Sequence, residues 1–140
     1  MSKIAVVYWS GTGNTEKMAE QVVAGAVEAG ADATLYRASK FSADLMDQYE
    51  AVAFGCPSMG AEELEDSEFL PMFERCEKKL AGKKIALFGS YGWGDGEWMR
   101  SWEDRCIEDE AVIACSCVIC NEAPDADAEA DCRALGKSLA

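Results

Sequence analysis

The stretch Lys3–Thr15 reads KIAVVYWSGTGNT, and the whole chain can be interpreted outward from it. Its first part, Lys3 to Trp9, is almost continuously apolar, which is typical of a strand covered on both faces. The glycine-containing turn Ser10–Thr15 follows at once and leads into apolar residues at helical spacing. A buried strand, a turn and a helix in this order predict the start of a parallel α/β sheet.

The same alternation continues to the end of the chain. Further strands are predicted at Ala33–Tyr36, Ala51–Gly55, Ile85–Gly89 and Val112–Cys120. Helices are predicted from about Thr15 to a stop at Gly30, after Ser42, and over Ser67–Leu80, Glu97–Asp109 and Ala126–Leu139. We therefore expect one α/β domain over residues 1–140, a five-stranded parallel sheet with helices on both faces. Ligands of such sheets bind at the carboxyl ends of strands, near the switch in strand order.

The chain is strongly acidic, with 26 acidic residues, 13 basic ones and a formal net charge of -13. This field disfavours nucleic acid and anionic membrane surfaces and steers encounters with basic protein patches, although it also fits a surface that only aids solubility. The apolar run Ile4–Trp9 is too short for a membrane span or a signal peptide. A cytoplasmic protein is the expectation.

Seven cysteines are many for this length. Without a secretory signal we expect free thiols packed as small apolar groups. Cys115, Cys117 and Cys120 suggest a metal site, but regular alternation along Val112–Cys120 would place Cys120 on the opposite face from the other two. The chain also has no histidine, so no metal site is predicted.

The turn Ser10–Thr15 carries the chemistry of an anion site. Its glycines let backbone N–H groups approach an anion, its hydroxyl and amide side chains add neutral donors, and the following helix adds its positive dipole end. Neither a nucleoside-triphosphate loop nor a dinucleotide fingerprint is present, because Asn14-Thr15-Glu16 follows Gly13. A phosphate cradle without lysine or arginine is the prediction, and a plain polar turn before a helix is the alternative.

Two further loops follow the third and fourth predicted strands. Cys56–Glu62 contains Met59, and Ser90–Gly96 contains Tyr91 and Trp93, each beside glycines. Taken singly, such side chains are more often packing residues. Placed around one switch point, they predict a site that closes on both faces of a flat ring.

These loops resemble those of the flavodoxins, specifically the short-chain kind of anaerobic bacteria. The resemblance rests on Ser10–Thr15, Met59-Gly60-x-Glu62 and Gly89–Gly94, and it extends to Asn121-Glu122. The fifth strand, expected to be uninterrupted, also resembles the short-chain class. The resemblance implies a sheet of order 2-1-3-4-5 and a noncovalently bound FMN in a carrier of single electrons rather than an enzyme.

The resemblance also implies the cofactor-binding residues. The first loop would hold the FMN phosphate, Met59 and Trp93 would cover opposite faces of the isoalloxazine, and Glu62 would reach its pyrimidine edge. The Gly60–Ala61 peptide would turn towards the flavin on one-electron reduction, within a four-residue turn in which Ala61 departs from the residues usual there. The full expected set is Ser10, Gly11, Thr12, Gly13, Asn14, Thr15, Pro57, Ser58, Met59, Gly60, Ala61, Glu62, Ser90, Tyr91, Gly92, Trp93 and Gly94.

The expected function is low-potential electron transfer, cycling mainly between semiquinone and hydroquinone. The loops supply acidic residues but no lysine or arginine, so an anionic hydroquinone is disfavoured. Expected partners are redox proteins with basic docking patches: flavodoxin or ferredoxin reductases, and oxidoreductases that also use ferredoxin. We expect a monomer.

Two other functions stay open from the residues alone. A small FMN-dependent NAD(P)H quinone or azo reductase needs a nicotinamide site, for which 140 residues leave no second domain, and its acid or base would have to be a carboxylate because histidine is absent. A non-redox FMN-binding module would show no stable semiquinone.

Overall fold

The computed structural model describes residues 2–140 and alternates strands with helices. The strands are β1 (Lys3–Tyr8), β2 (Asp32–Arg37), β3 (Ala51–Gly55), β4 (Lys84–Tyr91), β5 (Val112–Ile113) and β6 (Val118–Asn121). The helices are α1 (Asn14–Glu28), α2 (Ala43–Met46), α3 (Phe69–Cys76), α4 (Glu97–Glu108) and α5 (Ala126–Leu139), with short 3₁₀ turns at Ala38–Lys40 and Glu77–Lys79.

The sheet is parallel, with the order β2-β1-β3-β4-β5, and β6 also pairs with β4. The expected order 2-1-3-4-5 is therefore confirmed. Tyr8 pairs with Gly55, and Gly55 pairs with Phe88, so the carboxyl ends of β1, β3 and β4 lie side by side. The loops after these strands meet at one edge of the sheet, as the strand order predicts.

The core lies on both faces of the sheet, as the apolar strands predict. In β1, Ala5 and Val7 join the cluster that includes Phe73 of α3 and Trp102 of α4. Ile4 and Val6 join the opposite cluster, formed mainly with α1 and α5. Alternation along a strand buried on both sides explains the division.

The uninterrupted fifth strand predicted over Val112–Cys120 is wrong. Ile113 pairs with Ile85, and Val118 pairs with Phe88. The segment from Ile113 to Val118 therefore contains two more residues than the segment of β4 with which its ends pair. A ladder cannot accommodate unequal lengths, and residues 114–117 therefore leave it as a bulge between β5 and β6.

The bulge also changes the faces on which the cysteines lie. Cys115 and Cys120 pack on the α1–α5 side, whereas Cys117 packs on the other side and its thiol donates to Glu103 at 2.7 Å. The predicted separation of Cys120 from the other two is wrong, because it assumed a regular strand. The cysteines are free thiols, and residues 2–140 contain no cluster of three or more His, Cys, Asp or Glu side chains suited to a metal ion.

Two boundaries of α3 also differ from the prediction. The helix begins at Phe69 rather than Ser67, and its last turn is the 3₁₀ segment Glu77–Lys79. Among residues 2–140 no helix combines the length and apolar character needed to cross a bilayer.

Candidate functional site

A groove of about 370 Å³ lies at the carboxyl ends of β1, β3 and β4. Its lining comes from all three loops that follow these strands and from the end of β6. The lining residues are Trp9, Gly11, Thr12, Asn14, Pro57, Ser58, Met59, Ser90, Tyr91, Gly92, Trp93 and Glu122.

The loop between β1 and α1 is organised around one hydroxyl. Ser10 Oγ accepts hydrogen bonds from the amides of Gly13 at 3.0 Å and Glu16 at 3.3 Å. Gly13 has φ 98°, a left-handed conformation that suits a residue without Cβ. The amides of Asn14 and Thr15 open α1 and have no partner inside the helix, so they and the dipole form an anion-binding end.

Thr15 fixes this loop to the sheet. Its side chain is buried, and its hydroxyl lies 3.1 Å from Ser90 Oγ and accepts from the Ser90 amide at 3.4 Å. Thr15 therefore supports the groove from below rather than lining it.

The loop after β3 forms a hairpin tip that differs from the expected four-residue turn. Met59 and Glu63 exchange two backbone hydrogen bonds of 2.8 Å, which encloses three residues at the tip. Gly60 has a positive φ of 54°, which suits a residue without a Cβ. Glu62 also has a positive φ, 55°, which no sequence signal predicted and which a residue with a Cβ adopts at a cost.

The far end of this loop is anchored by Glu65, which is 5% exposed. Its carboxylate accepts from the Ser67 hydroxyl and from the amides of Ser67 at 2.9 Å and of Glu68 and Phe69, each at 2.8 Å. Burial alone would raise the pKa of Glu65, but these hydrogen bonds outweigh it and the pKa is lowered. Glu65 thus stays ionised and holds the start of α3.

The loop after β4 presents its aromatic residues in two ways. Tyr91 packs against Trp98 with ring centroids 5.6 Å apart, and Trp98 Nε1 donates to the Cys56 carbonyl at 3.1 Å. Trp93 is 55% exposed, and its Nε1 donates to the Gly60 carbonyl at 3.2 Å. Tyr91 belongs to the packed wall, whereas Trp93 stands at the mouth of the groove.

The structure brings ten of the seventeen predicted residues into the groove lining. Ser10, Gly13 and Thr15 shape the first loop from behind it. Another four lie around the hairpin tip outside the lining, namely Gly60, Ala61, Glu62 and Gly94. Glu62 instead accepts from the Glu97 amide at 3.2 Å, at the start of α4.

Two lining residues were missing from the predicted set. Trp9 ends the first apolar run, and its Nε1 donates to Glu68 at 2.9 Å. Glu122 follows β6, and its amide donates to the Tyr91 carbonyl at 2.8 Å. The position of Trp9 immediately before the anion loop was a usable signal, but Glu122 joins the groove only because β6 pairs with β4.

The groove is suited to binding a ligand through uncharged hydrogen-bond donors. No lysine or arginine lines it within residues 2–140, and Glu122 is its one carboxylate there. Ser58 is 4% exposed and belongs to the groove lining, and its buried Oγ has no hydrogen-bond partner among the described residues. A buried hydroxyl without a partner is costly, so its presence in the groove wall indicates a polar ligand.

Fold and groove together define a doubly wound α/β protein with an open groove at the switch point of its strand order. The flavodoxin family model matches residues 6–136. The chain is 47% identical over 135 residues to the flavodoxin of Clostridium beijerinckii, covering 96% of this chain and 97% of that one. It is 46% identical over 137 residues to the flavodoxin of Megasphaera elsdenii, covering 98% of each.

The fold comparison agrees with the sequence comparison. The solution structure of two-electron reduced Megasphaera elsdenii flavodoxin superposes with a TM-score of 0.90 at 45% identity, covering 97% of both chains. The chain belongs to the flavodoxin family. Its cofactor is FMN, and like its relatives it is an electron-transfer protein that works with redox partners rather than an enzyme.

Proposed function

We propose that this chain is a low-potential carrier that works mainly between the one-electron-reduced and the fully reduced levels of its FMN. The observation that carries the proposal is the charge of the groove. Its lining over residues 2–140 has no cation and one carboxylate, Glu122, with further acidic residues on the adjacent hairpin. Extra negative charge is costly in such a place, so the second electron enters at a lower potential.

We further propose how the residues hold the cofactor. The amides of Asn14 and Thr15 and the hydroxyl of Thr12 bind the phosphate, in a loop shaped by Ser10. Met59 and Trp93 cover the two faces of the ring system, with Trp9 and Glu122 added to the expected set. The FMN supplies the redox chemistry, and these residues orient it and exclude water.

The hairpin tip supplies the response to reduction in this proposal. The Gly60–Ala61 peptide turns its carbonyl towards the cofactor when the first electron arrives. Gly60 is suited to this because, outside its own chain neighbours, no heavy atom lies within 4 Å of the position that a Cβ would occupy. For Glu62 to reach the pyrimidine edge, its carboxylate must leave the Glu97 amide.

We propose that the whole of residues 1–140 acts as one FMN-binding domain, as a monomer, in the cytoplasm. Seven free thiols suit a reducing compartment. The net charge of -13 suits transient docking on basic patches of reductases and of oxidoreductases that also use ferredoxin.

A spectroelectrochemical titration of the FMN-loaded protein tests the charge argument. Glu122→Lys places a cation in the groove and is expected to raise the second potential by some tens of millivolts. Glu108→Lys, at the end of α4, makes the same charge change away from the groove and should have a much smaller effect. Equal shifts for the two variants would show that groove charge does not set the low potential.

The partner proposal is tested by the rate of reduction by a purified reductase at several salt concentrations. We expect the rate to fall as added salt shortens the Debye length from ~30 Å to ~8 Å. A rate independent of ionic strength would leave the acidic surface with a role in solubility only.

A further inference from the structure

The strand β6 forms one edge of the sheet, and its outer side is open. Its one strand partner within residues 2–140 is β4. The Glu122 amide, directly after β6, donates to the Tyr91 carbonyl at 2.8 Å, so alternate residues back from Glu122 direct their backbone groups towards β4. The backbone N–H and C=O groups of Ile119 and Asn121 therefore point away from the sheet and are available to an added strand.

A side groove lies on each face of this edge. One, of about 480 Å³, lies between residues 115–119 and α5, and the other, of about 370 Å³, lies between the same edge and α4. Ile119 is 38% exposed and lines both side grooves. Side chains of a strand point alternately to the two faces of its sheet, so a strand added beside β6 would place its side chains in both side grooves.

Both side grooves are acidic. Glu103 and Asp104 line one of them, and Asp131 lines the other. Within the described chain, the one basic residue of either lining is Arg100, which is paired with Asp95 at 2.9 Å. Lysine or arginine side chains of an added strand would meet carboxylates on both faces, whereas a second copy of this chain would bring like charges together.

We propose that β6 and its two side grooves are a docking edge for a redox partner. The partner adds an extended segment of alternating apolar and basic residues as a strand beside Ile119 and Asn121. The docking edge is continuous with the FMN groove, because Glu122 lines that groove. A segment held at this edge therefore keeps the partner beside the cofactor. The assignment rests on the proposed docking of basic partners, to which it adds the place and the backbone pairing.

The length of the docking edge limits the strength of this contact. The strand β6 contains four residues, and the bulge at residues 114–117 precedes it. An added strand therefore gains few backbone hydrogen bonds. A small contact of this kind releases its partner quickly, which a carrier between two proteins requires.

The opposite edge of the sheet, β2, offers a matched control. Leu35 is 39% exposed there, against 38% for Ile119. The Asp32 amide donates to the Ser2 carbonyl at 2.7 Å, so by the same alternation the backbone groups of Leu35 point outward. The strand β2 carries one acidic residue, Asp32, and one basic residue, Arg37, so a basic segment gains little from its charge.

The test uses the FMN-loaded protein at low salt and a capped synthetic peptide of alternating lysine and valine. NMR titration measures the dissociation constant, and amide hydrogen exchange measures backbone pairing. The peptide should slow exchange of the Ile119 and Asn121 amides severalfold. Ile119→Lys should weaken peptide binding about fivefold, because it removes an apolar contact and adds a like charge. Leu35→Lys makes the same charge change at the other edge and should leave the dissociation constant nearly unchanged.

Three results would overturn the docking edge. The first is peptide binding without slower exchange of the Ile119 and Asn121 amides, which would reduce the contact to charge attraction. The second is an equal loss of affinity in Ile119→Lys and Leu35→Lys. The third is a dimer of this chain, seen by sedimentation and abolished by Ile119→Lys, which would assign the edge to a second copy.

Failure of this inference can be distinguished from failure of the proposed function. If reduction by the reductase slows with added salt but the peptide does not bind at β6, docking of basic partners stands and strand addition is wrong. A rate independent of salt would contradict the proposed docking instead.

Discussion

The loop Ser10–Thr15 and the hairpin Met59–Glu63 both follow buried strands and both contain glycine, yet they are held in different ways. The first is fixed mainly from within, by Ser10 Oγ and the attached helix α1, and buried Thr15 ties it to Ser90 of β4. The hairpin is closed at its base by two backbone bonds, but its tip is held from outside, by the Trp93 indole on the Gly60 carbonyl and by the Glu97 amide on the Glu62 carboxylate.

This difference suits the two tasks we assign to them. Binding a phosphate with neutral donors requires amides whose directions do not change, because each hydrogen bond depends on geometry. A response to reduction requires a peptide with two accessible orientations, and contacts from a second loop can be exchanged without disturbing the strand. The first loop should therefore control affinity and the hairpin should control potential.

The largest expected effect concerns the fixed loop and the ligand phosphate. FMN should bind roughly a thousandfold or more tightly than riboflavin, because several hydrogen bonds to a charged group contribute about 1.5–3 kcal/mol each. Ser10→Ala should weaken FMN binding and leave riboflavin binding nearly unchanged. Fluorescence titration measures both, and equal affinities of the parent protein for the two ligands would contradict the phosphate assignment.

The second-largest effect is expected at the mouth of the groove, where we place the flavin ring. Trp93→Ala should weaken FMN binding by about 1–3 kcal/mol, the range for burying or stacking a large aromatic side chain. Flavin fluorescence, quenched in the parent, should partly recover. If the dissociation constant does not change, the ring stacks elsewhere, and Tyr91 is then the next candidate.

Substitutions in the hairpin should change the reduction potentials rather than the affinity for FMN. Positive φ lies on Gly60 and Glu62 and not on Ala61, whereas the turned peptide would place it on Ala61 at a cost of about 1–2 kcal/mol. Ala61→Gly removes that cost, so the first potential should rise by roughly 40–90 mV and the second should fall or stay unchanged.

A redox titration of the parent and Ala61→Gly at one pH measures both potentials. At half reduction, the fraction of protein with one-electron-reduced FMN should be larger in the variant than in the parent. A first potential that stays or drops would mean that the peptide does not turn or that Ala61 is not strained when it does.

The smallest effect should lie away from both loops, at the end of α4. The interaction with the neighbouring Glu77 carboxyl, together with burial, raises the pKa of Asp109 to about 6 from 3.8. The folded state binds this proton more tightly than the unfolded chain, so the free energy of unfolding falls as pH rises from about 4 to 6 and stays lowered above that range.

Asp109→Asn should remove this pH dependence and raise the free energy of unfolding at pH 7 by about 1 kcal/mol, since the site is partly exposed. Chemical denaturation at pH 4, 5, 6 and 7 measures it, with Asp104→Asn on the exposed side of α4 as the control. Any change in FMN affinity would show that the loops are coupled to this end of the molecule.

The sequence predicted those features that depend on local pattern. The helix Ala126–Leu139 has the predicted boundaries, and the stop at Gly30 coincides with a left-handed glycine at φ 91°. The predicted first loop and both flanking loops meet at one groove, because strand order follows from the alternation of buried strands and helices. The position of Glu62 outside the groove lining depends on the neighbouring start of α4, which its own sequence context does not contain.

By itself, the sequence determined the order of strands and helices, the glycine-containing turn before α1 and the acidic composition, because periodicity, glycine and charge act over a few residues. Only the tertiary structure decided the bulge at residues 114–117, the faces of Cys117 and Cys120, and the entry of Glu122 into the groove. Each of these depends on the register between strands far apart in sequence, and register is set when the strands pair. The same holds for the hydrogen bond between Trp93 and Gly60, which meet only after β3 and β4 lie side by side.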